Sequence, residues 1–329
     1  MSRRDCNFTS GKMKTRMALI EDSIAEYLMH LDRMDRKETP RNPRKAARLQ
    51  QRIATLKDEM ARLKGLKRRM EASPHGQVSL TDPDARSMVS QGKGTGIVGY
   101  NVQTAVETKH HLIVAHEVTN VGSDRTHLMR MAEAAREALG TEELTAIADR
   151  GYYNSEQLKA CDDAGIAPVV PKPITSNSSA GGRYEKWDFT YLPKRDVYRC
   201  PAGEYATRRC ASHEHGLTFY KYWSSACPKC SLRSKCTTGD YRRVTRWEHE
   251  SVLDRMHARL DREPGLMTIR RRTVEHPFGT IKAWMGATHF LCRRLPRVSA
   301  EMSLHVLAYN LKRVMKIMGT GPMIEALRV

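Results

Sequence analysis

Apolar side chains recur at steps of three and four near the start of the chain: Met17, Ile20, Ile24, Leu28, Leu31 and Met34, then, beyond Pro40 and Pro43, Leu49, Ile53, Leu56, Met60 and Leu63. That spacing puts them on one face of a helix, with Lys, Arg and Glu filling the rest. It predicts two helices within residues 11–72 folded against each other as an antiparallel hairpin, in preference to a dimerising coiled coil. Residues 73–76 end the hairpin. Gly92, Gly94, Gly96 and Gly99 mark a flexible loop. Their GxGxG spacing imitates a nucleotide fingerprint, but no strand leads into it and no helix follows, so that reading is set aside.

The pattern then changes period. Residues 100–107 and 111–119 read as two strands joined by a short polar turn, the second carrying Leu112, Ile113 and Val114. A helix is expected over 124–139, capped by Ser123, then a short apolar strand over 144–148 with Asp149 at its end. A helix over 155–164 and a strand over 167–170, closed by Pro171 and Pro173, complete the series. This order indicates an α/β protein with a mixed sheet and covering helices. From 174 to about 241 the periodicity fades while Gly, Ser, Cys and aromatics rise, which reads as an insertion. Helical spacing returns at 252–259, 268–282 and 298–317. The expected division is a helical hairpin (1–75), a first part of the core (76–173), a Cys-containing insertion (174–245) and a helical C-terminal part of the core (246–329).

Charge narrows the class of partner. The 329 residues carry 56 Lys and Arg against 37 Asp and Glu, a net charge of +19. Such an excess attracts polyanions, of which nucleic acid is the most abundant in a cell, and each phosphate contact makes binding salt-dependent. No run approaches the roughly 20 apolar residues of a membrane span, and no signal peptide is evident, so the expectation is a cytoplasmic, nucleoid-associated protein with no membrane partner. The eight cysteines then suggest reduced thiols or metal ligands before disulfides.

Two segments carry candidate chemistry. In Ala146-Ile147-Ala148-Asp149-Arg150-Gly151-Tyr152-Tyr153 a carboxylate leaves an apolar strand and meets a Gly turn. Such positions face the crevice where sheet proteins bind ligands, and hard oxygen donors there suit Mg²⁺ or Mn²⁺; the plain alternative is a turn or cap residue. In the second segment Arg271 and Glu275 are four apart and Lys282 falls near the same stripe, so a metal-binding carboxylate would be flanked by cations able to hold phosphates. The bland reading is a salt-bridged helix surface. Pro277, two residues past Glu275, argues for special local geometry. A third set, Cys200, Cys227, Cys230 and Cys236, has the spacing C-x26-C-x2-C-x5-C. It is able to hold one structural Zn²⁺, or else to be four half-buried thiols in a loop-rich subdomain.

The combination resembles the DDE transposases of bacterial insertion sequences. Arg271-x3-Glu275-x6-Lys282, within Val-Glu-His-Pro-Phe-Gly-Thr-Ile-Lys, is similar to the third-carboxylate motif of that group, although Thr268 stands where the group has Tyr. The Asp149 segment is similar to its second-Asp motif. The segments 81–86 (Thr-Asp-Pro-Asp-Ala-Arg), 99–103 (Gly-Tyr-Asn-Val-Gln) and 307–313 (Leu-Ala-Tyr-Asn-Leu-Lys-Arg) fit the same group, in the same order. The resemblance implies an RNase H-like fold, Mg²⁺-dependent cleavage and transfer of DNA strands without a covalent protein–DNA intermediate, and a homo-oligomer assembled on element ends and target. It also implies that the first Asp and an N-terminal DNA-binding domain would lie upstream of Met1, with Asp5 matching a later position. Asp84 (or Asp82) is then a candidate substitute ligand, against the plainer reading of Asp-Pro-Asp as a turn that starts a segment. The alternatives are a catalytically silent DNA-binding remnant that regulates a full-length transposase, and an RNase H-like nuclease.

Overall fold

The computed structural model describes residues 6–36, 43–73, 75–88, 96–173 and 181–328. Pro40, Gly92, Gly94 and Asp5 lie outside them. The chain forms two compact units, one of residues Met1–Gln103, His116–Gly122 and Phe278–Val329, the other of Thr104–Ala115 and Ser123–Pro277.

In the first unit, α1 (Ser10–Asp35) and α2 (Pro43–Glu71) pack through Met13, Ile20, Met60, Leu63, Leu66 and Met70. Arg16 pairs with Glu59, and Arg52 lies over Tyr27. As one partner advances along α1 the other retreats along α2, so the helices are antiparallel and satisfy their apolar stripes within one chain. Strand β1 (Asn7–Thr9) pairs antiparallel with β2 (Gln77–Ser79), closing the hairpin's open end with Asn7 opposite Ser79. A second antiparallel pair joins β3 (Arg86–Met88) to β4 (Ile97–Gly99).

The strands β5 (Asn101–Val106) and β6 (Ile113–Thr119) pair with each other, and the chain passes between units within them. The second unit continues with a 3-10 turn (Asp124–Thr126) capped by the Ser123 hydroxyl, leading to α3 (Leu128–Leu139). Strand β7 (Leu144–Ile147), helix α4 (Ser155–Asp163) and strand β8 (Ile166–Val169) follow, with β7 and β8 parallel and in register from Leu144 opposite Ile166. A parallel pair needs a crossover, and α4 provides it, its N-terminus capped by Asn154. Leu158, Cys161, Ile166 and Val170 are almost wholly buried beneath it, packed with Trp247 and Met256.

The insertion is more ordered than the sequence reading expects. It contains a five-stranded antiparallel sheet in the order β13-β12-β11-β10-β9, built from β9 (Thr190–Leu192), β10 (Val197–Arg199), β11 (Tyr205–Glu214), β12 (Leu217–Trp223) and β13 (Val244–Trp247). The periodicity was hidden because most of β11 is exposed on both faces and its pairing with β12 shifts between Arg208 and Cys210.

Helix α5 (Glu250–Arg262) then returns to the core through Val252, Leu253 and Met256, and α6 (Leu266–Gly279) follows. The rest of the chain lies in the first unit: α7 (Leu295–Met318) and the short α8 (Thr320–Ala326). Pro277 does not end α6. It is buried inside the helix, and the next turn, Thr280–Trp284, widens to π-helix, with Met285 N–H donating to Thr280 O at 3.0 Å. Proline and π turns are both places where a helix departs from regular geometry. No described helix is long and apolar enough to cross a membrane.

Candidate active site

Asp149 follows β7 directly. Ala148 N–H still donates to Val169 O (3.0 Å), extending the parallel ladder to the last residue before the carboxylate. Asp149 then leaves the sheet. Its Oδ1 accepts from Gly151 N–H at 2.9 Å, capping a 3-10 turn over Arg150–Tyr152. Its Oδ2 accepts from Arg270 Nη2 at 2.8 Å. One oxygen of Asp149 thus caps the turn, and the other takes the ion pair with Arg270.

A second carboxylate stands here that the sequence did not single out. A Cβ placed on Gly151 would sit 3.0 Å from Asp149 Oδ1 and 3.2 Å from Asp124 Oδ2. The backbone at Gly151 thus lies against both carboxylates, and an added Cβ would need them to shift by a few tenths of an ångström. Asp124 opens the 3-10 turn before α3, so it comes from the loop after β6 as Asp149 comes from the end of β7. Tyr152 registers both: burial raises its phenol above the usual range, the negative charges of Asp124 and Asp149 raise it further, and Arg270 pulls it down. The available signal was an acid in the first turn after a strand, a position that sheet proteins use for ligands.

Helix α6 brings Arg270 to Asp149. Thr273 and Pro277 are buried, Arg270 is partly buried, and Arg271 and Glu275 are exposed. Spacing of three and four puts Arg270, Thr273 and Pro277 on the inner face and Arg271 and Glu275 together on another. Lys282 is exposed on the π turn, its Nζ 5.6 Å from the Phe278 ring centroid. The arginine that meets Asp149 is Arg270, next to the one the motif marks.

Asp82 and Asp84 are occupied inside the first unit. Asp82 is almost wholly buried and accepts from Tyr100 Oη (2.8 Å), Asp84 N–H and Arg294 N–H (both 3.2 Å). Asp84 Oδ2 accepts from Leu295 N–H at 2.9 Å. Together they satisfy backbone donors at the start of α7, which no residue of its own caps. The Asp-Pro-Asp turn is thereby given a structural job. Tyr100 is raised by burial and by its bond to the Asp82 carboxylate.

The four cysteines of the expected zinc set line one small pocket in the insertion. Among the described residues no group of three or more His, Cys, Asp or Glu side chains stands at metal-holding geometry.

A family model for the transposase DDE domain matches residues 69–311. The chain belongs to that family. The match runs from the end of α2 into α7, taking in Asp124, Asp149, Arg270 and Glu275. Transposition is the function with which this domain is associated, and its members generally work with divalent metal ions such as Mg²⁺ on DNA. No curated protein and no solved structure matches the chain significantly.

Proposed function

We propose that this chain cleaves and transfers DNA strands in the transposition of an insertion-sequence element, using Asp149 and Glu275 as acidic residues of an RNase H-like site. The observation that carries the reading is the placement of Asp149 at the end of a parallel strand inside a chain of the transposase DDE family. The donor chemistry suits the divalent ion: Asp149 and Asp124 present hard carboxylate oxygens beside a glycine that leaves them room. When bound, Mg²⁺ would activate the attacking water or hydroxyl and stabilise the departing oxygen.

The protein's own residues have separable tasks. Asp149, Asp124 and Glu275 would hold the ion and so fix where the scissile phosphate sits. Arg271 and Lys282, exposed beside Glu275 in sequence, supply cations for neighbouring phosphates. Arg270 holds the Asp149 carboxylate in place through Oδ2. The excess of basic residues attracts the duplex, and a homo-oligomer would bring two element ends together.

A DNA-binding regulator without cleavage is the second reading, favoured by the lack of three converged metal donors among the described residues. Incubation of the full chain with DNA carrying element ends, with Mg²⁺ and with EDTA, separates these readings. The proposal expects cleaved and joined products only with the metal. Cleavage without joining would indicate a nuclease, and salt-sensitive binding without either product would indicate the regulator.

A further inference from the structure

The insertion holds a cysteine set that the proposed strand-transfer chemistry does not use. Cys200 begins the turn between β10 and β11, where its N–H donates to Glu204 O (2.9 Å) and its carbonyl accepts from Gly203 N–H (2.9 Å). Gly203 has φ of +84°, a left-handed conformation that lets the chain reverse at once. Cys227 and Cys230 bracket a 3-10 turn over Cys227–Lys229, with Cys230 N–H donating to Cys227 O at 3.2 Å. Cys236 ends the next turn, Arg233–Lys235, its N–H donating to Arg233 O at 2.9 Å. Two turns from the β12–β13 connection are thus laid against the β10–β11 turn.

These turns bring all four cysteines to the lining of one cavity of about 30 Å³, shared with apolar residues such as Phe189 and Ala206. That is room for a single ion or water molecule. Exposed Cys210, out on β11, takes no part in the cavity. We infer that Cys200, Cys227, Cys230 and Cys236 form a structural tetrathiolate site for Zn²⁺ that ties the β12–β13 connection to the five-stranded sheet.

Zinc takes four such ligands tetrahedrally in closed structural sites. The thiols do not stand at coordinating spacing in the structure, so taking the ion requires rotation of the side chains inward and release of their protons. The product is formally dianionic, and Arg242, which lines the same cavity, provides a compensating charge. The apolar walls then limit access of water and chelators. The site serves the small sheet, which has few buried residues of its own.

The test is metal analysis of the full chain purified under reducing conditions without added chelator. About one zinc per chain is expected, released when the thiols are modified with a mercurial. Cys230→Ser and Cys236→Ser should each lose most of the metal, and Cys210→Ser should retain it. Reconstitution of the wild-type chain with Co²⁺ should give intense visible bands and a thiolate-to-cobalt charge-transfer band, a readout that does not depend on any variant folding. Zinc well below stoichiometric with no cobalt signature would overturn the inference. So would zinc that survives Cys230→Ser, or a disulfide among the four cysteines in the purified protein.

Discussion

Arg270 reaches Asp149 across 121 positions of sequence, its Nη2 lying 2.8 Å from Oδ2. The contact ties α6 to the end of β7, so one ion pair fixes both the helix that carries Glu275 and the carboxylate that ends the strand. Both side chains keep some exposure, 22% for Arg270 and 39% for Asp149, so the pair contributes little to stability by itself, about 1 kcal/mol at most. Its position is its importance. A guanidinium bonded to Oδ2 holds the oxygen that a divalent ion would need.

Replacing Arg270 by Ala should therefore separate stability from metal binding. The midpoint of urea unfolding should fall only slightly. Affinity for Mn²⁺, measured by titration calorimetry on the protein without DNA, should rise by up to about fivefold, since at most roughly 1 kcal/mol of competition is removed. Unchanged Mn²⁺ affinity would show that Arg270 does not compete for Asp149.

Gly151 offers a sharper probe. Its φ is not in the left-handed region, so Gly151→Ala imposes no backbone strain of that kind. The added Cβ would press on both Asp149 Oδ1 and Asp124 Oδ2. Strand cleavage in Mg²⁺ should drop by at least about tenfold, the consequence of misplacing reacting groups by a fraction of an ångström, while the thermal midpoint moves by no more than about 2–4 °C. Equal losses in stability and activity would mean that the residue matters only to folding.

Asp124→Asn tests whether the second carboxylate belongs to the site. The change keeps the side chain's shape and removes its charge. Lower Mn²⁺ affinity is expected, read by titration calorimetry on wild type and variant without DNA. Unchanged affinity would place Asp124 outside the site.

His257 makes stability depend on pH. It is buried against Tyr153 and Trp187, and burial, with Lys172 and Lys186 adding to it, lowers its pKa to about 4. Between the ordinary imidazole value of 6.5 and about 4, the unfolded chain takes up a proton that the folded chain refuses. Stability from this group is thus complete above the unfolded value and lost as pH falls through that window. His257→Gln should flatten the decline, read from urea midpoints across the same range. An identical decline in the variant would assign the effect to other groups.

Much of this was legible along the chain. The hairpin was visible because its apolar positions keep helical spacing on both arms and find each other within the chain. The strand before Asp149 was visible because a short apolar run bounded by turn residues has few other fates. The sheet in the insertion was not. β11 has little buried face and a shifted register, so no alternation marks it. Asp124 was hidden in plain view as a helix-start residue, because its closeness to Asp149 is a tertiary fact created by Gly151. Arg270 lost attention to Arg271 for a related reason: a motif marks spacing, and only the buried positions Thr273 and Pro277 reveal which way the helix faces. Asp82 and Asp84 read as possible ligands because their partners, the first backbone donors of α7, lie more than two hundred residues away.

The central claim is that Asp149 is a catalytic carboxylate for strand transfer, and the isosteric Asp149→Asn variant tests it most directly. The amide oxygen can keep the Gly151 cap, while the amide nitrogen cannot accept from Arg270. A partly exposed ion pair contributes only about 1 kcal/mol, so folding should survive, as circular dichroism and the unfolding midpoint will report. Mg²⁺-dependent cleavage and joining of DNA ends should fall by about a thousandfold or more, the scale on which a lost metal carboxylate acts, with salt-sensitive DNA binding retained. Strand transfer at or near the wild-type rate in a folded Asp149→Asn protein would contradict the claim.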